Sequence, residues 1–211
     1  MTSSSSARAF EPRHVQLVRA LFAAVAAVMI TFSPDHSAAV GLSVFSGFAM
    51  ASAIVWLLSA WLVYGPGQRR LPILLGALTL IAGGVSGIPT LRTTLSFFVI
   101  VISWALITGL IEGIAGLRAL RAAERGSAAR SEARDALTVG IVGVLLALGT
   151  LAVQPAYALQ YSIEEAGSFT LTGITIAVGL FGGYAAIVAV YLGIAGFSPR
   201  REPAPAPEEA A

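Results

Sequence analysis

The chain has 211 residues, of which 56% are hydrophobic and 11% are charged, and its mean hydropathy is +0.83. Because about a quarter of the residues in a soluble domain are charged, this composition excludes a water-covered globular protein and favours one whose surface meets lipid. The chain has no cysteine, and its 13 basic residues are all arginine, which excludes disulfides, thiolate-bound metals and lysine-dependent covalent catalysis.

Six apolar segments follow one another along the chain, each long enough to cross a bilayer as a helix of about 20 residues. Before them, residues 1–14 are rich in serine and are predicted to form a disordered cytoplasmic tail. A charged linker at 118–135 separates the fourth segment from the fifth and could form a short interfacial helix. A second disordered cytoplasmic tail is predicted at 198–211. The six segments are predicted at about 15–32, 38–64, 71–88, 94–117, 136–153 and 169–197.

Three prolines divide the apolar segments into pairs. Pro34, Pro89 and Pro155 each end a first arm, where a helix must stop and turn, and a second arm follows. The second arms of the later two pairs share a glycine-rich core, Gly109–Gly113 and Gly179–Gly183. This pattern predicts an all-α integral membrane domain at 15–197, built from three repeated helical hairpins at about 15–64, 71–117 and 136–197.

The arginines indicate how this domain lies in the membrane. Twelve of them fall in the two tails, the loop at 65–70, the linker at 118–135 and the start of the first span, and only Arg92 falls on the other side. Because cytoplasmic loops carry the excess of arginine, we expect both termini in the cytoplasm of a multi-pass inner-membrane protein. The net charge of +2 favours this interpretation over nucleic-acid binding. The arginines of Arg118–Arg134 could also bind anionic lipid headgroups.

Small residues recur four positions apart within the predicted spans. Such spacing favours close helix–helix packing in lipid, where hydrophobic association is absent. Packing is the favoured interpretation, a glycine-lined pore or hinge is the alternative, and self-association into a homo-oligomer is a further expectation. The glycines predicted to pack are Gly83, Gly87, Gly109, Gly113, Gly179 and Gly183.

Two sets of titratable residues are candidates for function. Glu112 is the one acidic residue inside a predicted span, and Arg19 lies at a similar depth in the first. An ionisable group in a span is costly and is often functional. Glu112 is therefore either a proton-responsive group or, as we favour, half of a structural ion pair with Arg19 or a linker arginine. Asp35 and His36 form a candidate pH-sensitive site outside the membrane, because histidine titrates near neutral pH; an ordinary loop is the alternative.

The chain contains no nucleophile beside a base, no phosphate-binding loop and no metal-ligand pattern. We therefore expect a protein that is not an enzyme and that needs no metal or other cofactor.

The second hairpin carries a family resemblance. It contains Ala82-Gly83-Gly84, Pro89, the segment 103–106 (Ser-Trp-Ala-Leu), Gly109–Gly113 and an arginine-rich end at Arg118–Arg121. In these features the chain resembles the HdeD-type acid-resistance membrane proteins. The resemblance implies a six-span inner-membrane protein of acid or general stress response, acting through membrane or protein interactions. A small proton-linked transporter or channel is the alternative.

Overall fold

The computed structural model describes residues 10–164 and 167–198, and six long helices dominate them. All six are long and apolar enough to cross a membrane. The predicted tails lie mostly outside the described residues, although α1 begins inside the first of them, at Pro12. The helices are α1 (Pro12–Phe32), α2 (Ala38–Leu62), α3 (Arg70–Gly87), α4 (Thr94–Ala122), α5 (Ala128–Ala152) and α6 (Gly173–Phe197).

The outward faces of the helices are apolar. Leu21, Leu145 and Val190 are each about 60% exposed, and similar side chains are exposed along every helix. A water-soluble monomer rarely exposes an apolar surface of this extent, whereas lipid covers it without cost. The described chain is therefore a multi-pass membrane protein with an all-helical spanning domain.

Three helices form the inside of the bundle. The most buried spans are α2, α4 and α6, while α1, α3 and α5 lie outside them. Each inner helix presents four side chains at the same spacing, so that one face points to the centre. These inner positions are Phe45, Phe48, Ser52 and Trp56 on α2, Val101, Trp104, Thr108 and Glu112 on α4, and Phe181, Tyr184, Val188 and Leu192 on α6.

Helices consecutive in sequence are neighbours, and α1 packs on α6 to close the ring. The most extensive contacts join α2 to α3, α4 to α5, and α6 to α1. The two arms of each predicted hairpin pack less extensively on each other. Each outer helix thus packs mainly on an inner helix from outside its own predicted hairpin.

Glycines let the backbones of α4 and α5 touch. A Cβ atom added to Gly109 would lie 2.9 Å from the carbonyl oxygen of Gly140, and one added to Gly140 would clash with the backbone nitrogen of Gly113. At Gly116 an added Cβ would lie 2.5 Å from the backbone nitrogen of Leu137. This seam has no room for any side chain larger than hydrogen at these positions.

The other predicted packing glycines divide into two groups. A Cβ atom at Gly83 would lie 3.0 Å from that of Ala49, and one at Gly87 would lie 3.2 Å from the hydroxyl of Ser46, so both are at the α2–α3 contact. At Gly179 and Gly183 an added Cβ would meet no atom within 4 Å. The prediction that these two bring helices of the chain into close contact is wrong, because both line an open groove between α5 and α6.

Each inner helix begins with a hydroxyl cap. The side chains of Ser37, Thr93 and Thr172 accept hydrogen bonds from the backbone N–H groups three residues later, at 3.4, 3.2 and 3.3 Å. The N–H groups of a first helical turn have no helical partner, so these hydroxyls satisfy them. The three helices therefore start in the same way.

The linker differs from its prediction. Residues 118–122 continue α4 and residues 128–135 begin α5, so only five residues between the helices are not helical. Arg130 donates hydrogen bonds to the carbonyl oxygens of Leu120 (2.9 Å) and Ala123 (3.2 Å), which caps the end of α4. Both helices thus extend their spans beyond the seam, and no separate interfacial helix forms.

A β-hairpin joins α5 to α6, and its second strand occupies the predicted start of the sixth span at about residue 169. Strand β1 (Ala158–Ile163) pairs antiparallel with β2 (Gly167–Thr172). Apolar and polar residues alternate along both strands, and this period of two is typical of a strand with one apolar face. The sixth span was predicted too long because the apolar residues of β2 were counted in it, and α6 begins at Gly173.

Candidate functional site

A buried ion pair joins α1 to α4 inside the bundle. Nη1 of Arg19 donates to Oε1 of Glu112 at 2.9 Å, and Nη2 donates to Oε2 at 3.3 Å. The two side chains are 13% and 8% exposed. Of the partners that the sequence left open for Glu112, the structure therefore selects Arg19. The contact is bidentate, which is the geometry that a guanidinium and a carboxylate favour.

An aromatic ring completes this arrangement. The guanidinium carbon of Arg19 lies 4.2 Å from the centre of the Trp56 ring on α2. A cation over the face of an indole is attracted by the negative charge of the π cloud. Arg19 is thus held by a carboxylate from one helix and a ring from another, and the contact connects α1, α2 and α4.

A small polar cavity lies between the ion pair and the middle of the bundle. Its volume is about 30 Å³, and its lining includes the hydroxyl groups of Ser52, Thr79, Thr108 and Tyr184. A cavity of this size and polarity can hold a water molecule. Through such a water, the side chains of Arg19 and Glu112 can form hydrogen bonds with the hydroxyl groups that line the cavity.

The hydroxyls around this cavity are partly used by the protein itself. Nε1 of Trp104 donates to Oγ1 of Thr79 at 3.1 Å, and Oγ1 of Thr108 donates to the carbonyl oxygen of Trp104 at 2.6 Å. The indole N–H on α4 is satisfied by a residue on α3. Burying these polar groups therefore costs little, because they are hydrogen-bonded.

A second polar cavity, of about 60 Å³, lies on the other side of the ion pair, toward the linker. Arg19 and Glu112 line both cavities, so the pair separates them. At this end, Nε2 of Gln16 donates to one oxygen of Asp135 at 2.7 Å, and the hydroxyl of Tyr191 donates to the other at 3.0 Å. Asp135, Gln16 and Tyr191 thus form a polar network next to the second cavity.

Aromatic rings close the opposite end. The rings of Phe45 and Trp104 are 5.0 Å apart, those of Phe45 and Phe181 are 5.5 Å apart, and those of Phe48 and Tyr184 are 6.5 Å apart. These pairs meet edge to face, the arrangement that the charge distribution of aromatic rings favours. The polar interior therefore extends from the linker end to the ion pair and its small cavity, and ends at the rings.

Asp35 and His36 lie at the end of the bundle opposite the linker. The carboxylate of Asp35 accepts hydrogen bonds from the backbone N–H (2.8 Å) and the hydroxyl (3.0 Å) of Ser37, which caps α2. Asp35 is exposed and His36 half-buried. The geometry gives Asp35 a turn-forming role, and the pH-sensitive site at Asp35 and His36 stays a prediction.

Among residues 10–164 and 167–198, no group of three or more histidine, aspartate or glutamate side chains could hold a metal ion. Comparison with family models, with curated proteins and with solved structures finds no match to this chain. The function proposed for this chain therefore depends on the geometry of the ion pair.

The sequence prediction missed several residues around the ion pair, chiefly Trp56, Thr79, Asp135 and Tyr184. A signal for some of them is present. Ser52 and Trp56, and likewise Thr108 and Glu112, are four residues apart, so each pair lies on one helix face. A polar residue one turn from an intramembrane carboxylate indicates the polar side of that helix.

Proposed function

We propose that this chain is a non-enzymatic inner-membrane protein of acid or general stress response, related to the HdeD-type proteins and acting through membrane or protein interactions. The resemblance of the second hairpin supports the relationship. The carrying observation is the satisfied Arg19–Glu112 pair, buried in a bundle that aromatic rings close at one end. Such an interior favours a protein that responds to its surroundings over one that turns over a substrate.

We also propose that the bundle is a triplicated hairpin. Three features support this: the repeated spacing of inner side chains, the hydroxyl cap on each inner helix, and the alternation of more and less extensive contacts around the ring. In this account the repeats close a ring of three units, each contributing one inner and one outer helix.

The proposed orientation has the linker and both termini in the cytoplasm. Support comes from the exposed side chains of Arg118, Arg121, Arg125 and Arg134 at the linker end. Each arginine near an anionic leaflet contributes about 1 kcal/mol to binding. The linker end is therefore the surface that we propose to contact anionic lipid headgroups.

Two roles for the ion pair fit this function, and a pair of variants separates them. In Glu112→Gln the shape is kept but the carboxylate is lost. In Arg19→Met with Glu112→Leu both charges are replaced by apolar groups, which is often tolerated where the loss of one partner is not. A structural pair predicts that the double variant regains function, whereas a proton-responsive pair predicts that it does not.

The test is survival at low external pH of a strain that lacks the protein. We expect rescue by the wild-type chain and by Glu124→Gln, which alters an exposed linker carboxylate, but not by Glu112→Gln. Membrane levels of each variant are measured in parallel. Equal survival of the deletion strain and the wild type would contradict the proposed stress role.

A small proton-linked transporter or channel is the second candidate. The observation that favours it is the pair of polar cavities on either side of Arg19 and Glu112, since ionisable groups between two compartments are typical of proton pathways. Purified protein in vesicles with a trapped pH dye tests it. Transport predicts a proton flux that Glu112→Gln abolishes; no flux above that of empty vesicles would exclude it.

A further inference from the structure

The β-hairpin between α5 and α6 carries an apolar face that nothing in the described chain covers. Leu159, Tyr161 and Phe169 are 43–48% exposed, and Leu171 continues the same face. Tyr161 is paired with Phe169 across the strands, and their rings stack 5.7 Å apart. The opposite face carries the exposed polar side chains of Gln160, Ser162, Ser168 and Thr170.

The base of the hairpin is fixed to the ends of two spans. The N–H of Gly173, the first residue of α6, donates to the carbonyl oxygen of Tyr157 at 2.8 Å. The backbone of Gln154 approaches Gly173 so closely that a Cβ atom there would clash with it. The hairpin therefore starts where α5 and α6 leave the bilayer and cannot swing far from that level.

Two opposing costs determine where such a hairpin can lie. A two-stranded sheet has two open edges, whose backbone groups lack partners and would be costly in hydrocarbon. In water, the apolar face would stay exposed, and an isolated hairpin of two strands is only marginally stable. The headgroup region removes both costs, because it hydrates the edges and accepts aromatic and aliphatic side chains.

The size and charge of the face decide between lipid and a second copy of the chain. Three exposed side chains and part of a fourth present a few hundred Å², whereas a stable protein interface of standard size buries about 800 Å² on each partner. The face carries no charged side chain. Among the described residues of the hairpin, the acidic one is Glu164, which lies at the turn between the strands. We propose that the face formed by Leu159, Tyr161, Phe169 and Leu171 lies in the headgroup region of the bilayer, on the side opposite the linker.

Spin labelling of the full chain in vesicles tests this proposal, since the sequence has no cysteine to remove. A nitroxide is attached to single cysteines in Tyr161→Cys and Phe169→Cys. The matched controls are their neighbours on the polar face, Ser162→Cys and Thr170→Cys. In phosphatidylcholine vesicles we expect collisions with a water-soluble nickel chelate to be several-fold less frequent for the first two labels, and collisions with oxygen to be more frequent.

Further variants keep the result interpretable. Leu159→Ser should increase the access of the nickel chelate to a label at position 169, and adding phosphatidylglycerol should change nothing, because the face is uncharged. Equal access on both faces in variants that retain the wild-type melting temperature would overturn the proposal. Spin–spin broadening at position 169 that disappears on dilution with unlabelled protein would also overturn it, because a second copy would then cover the face.

Discussion

Helix α4 meets its neighbours in two different ways. Toward α5 it presents Gly109, Gly113 and Gly116, and the two backbones touch. Toward the centre it presents Trp104, Thr108 and Glu112, large or polar side chains that reach other helices. The first contact depends on shape alone, and the second on shape together with satisfied charge and hydrogen bonds.

In lipid, one helix can use close backbone contact on one side and a neutralised charge on the other. Lipid is as apolar as leucine, so helices gain from contact only where they approach closely. The glycine seam supplies that approach along one side of α4. On the other side the same helix can hold a carboxylate, because Arg19 neutralises it and Trp56 covers the cation. A substitution should therefore act differently on the two sides.

The largest effect is expected at the seam, for Gly140→Leu. Its new side chain would begin where the backbone of Gly113 lies, and overpacking against backbone cannot be relieved by rotating a side chain. We expect the two backbones to separate and most of the α4–α5 contact to be lost, seen as near-absence from the membrane and early melting in detergent. The matched control is Gly179→Leu, which faces open space. Similar losses in both variants would contradict the seam.

The next effect is expected at the ion pair, for Glu112→Gln. Removing one charge leaves the guanidinium of Arg19 buried without its partner, which costs about 3–5 kcal/mol. The double variant Arg19→Met, Glu112→Leu should recover most of this stability. A double-mutant cycle that adds the single variants Arg19→Met and Glu112→Leu measures the coupling from denaturation midpoints. If the two single losses simply add, Arg19 and Glu112 do not act as a pair.

A smaller effect is expected for Thr79→Val, which removes the acceptor of the Trp104 indole N–H. An unsatisfied buried donor costs about 1–3 kcal/mol. Adding Trp104→Phe removes the donor as well and should cost less than the two single changes together. Melting temperatures in one detergent provide the comparison. An unchanged melting temperature in Thr79→Val would show that another group accepts the bond.

The smallest effect is expected at the helix ends. Arg92 donates hydrogen bonds to the carbonyl oxygens of Ser86 (3.2 Å) and Gly87 (3.1 Å), at the end of α3. Arg92→Gln should lower stability by about 0.5–1 kcal/mol, because the cap and its favourable charge at the helix C-terminus are lost. Thermal melting at low and high salt measures it. A loss of stability as large as that of Glu112→Gln would mean that the Arg92 cap stabilises the fold as much as the ion pair does.

The helices could be predicted from sequence because hydropathy alone requires them. Apolar segments of this length have few alternatives in lipid, and α1, α2 and α3 start and end within three residues of their predicted bounds. The hairpin was missed because Phe169 and Leu171 look like the start of a span when hydropathy is averaged. Their alternation with Ser168 and Thr170 was the signal that averaging removed.

Whether a predicted glycine packs against another helix depends on residues that are distant in sequence, and a local sequence pattern does not reveal them. Gly109 and Gly179 begin motifs with the same spacing, yet of these two only Gly109 is in close contact with another helix. Trp104 and Tyr184 hold the same inner position on α4 and α6, and their rings are in contact. When the two helices are aligned on these residues, Gly109 and Gly179 do not fall at equivalent positions. The sequence leaves Arg19 and the linker arginines as possible partners of Glu112. Choosing Arg19 requires knowing that α1 lies against α4 at this depth, which only the structure gives.

Labelling from outside intact cells tests whether the six-span bundle keeps its arginine-rich linker in the cytoplasm. Single cysteines replace Ser127 in the linker and Ser168 on the polar face of the hairpin, both in the cysteine-free chain. We expect an impermeant maleimide to label position 168 in intact cells and position 127 only after permeabilisation. Labelling of position 127 in intact cells, or equal labelling of both, would contradict the account.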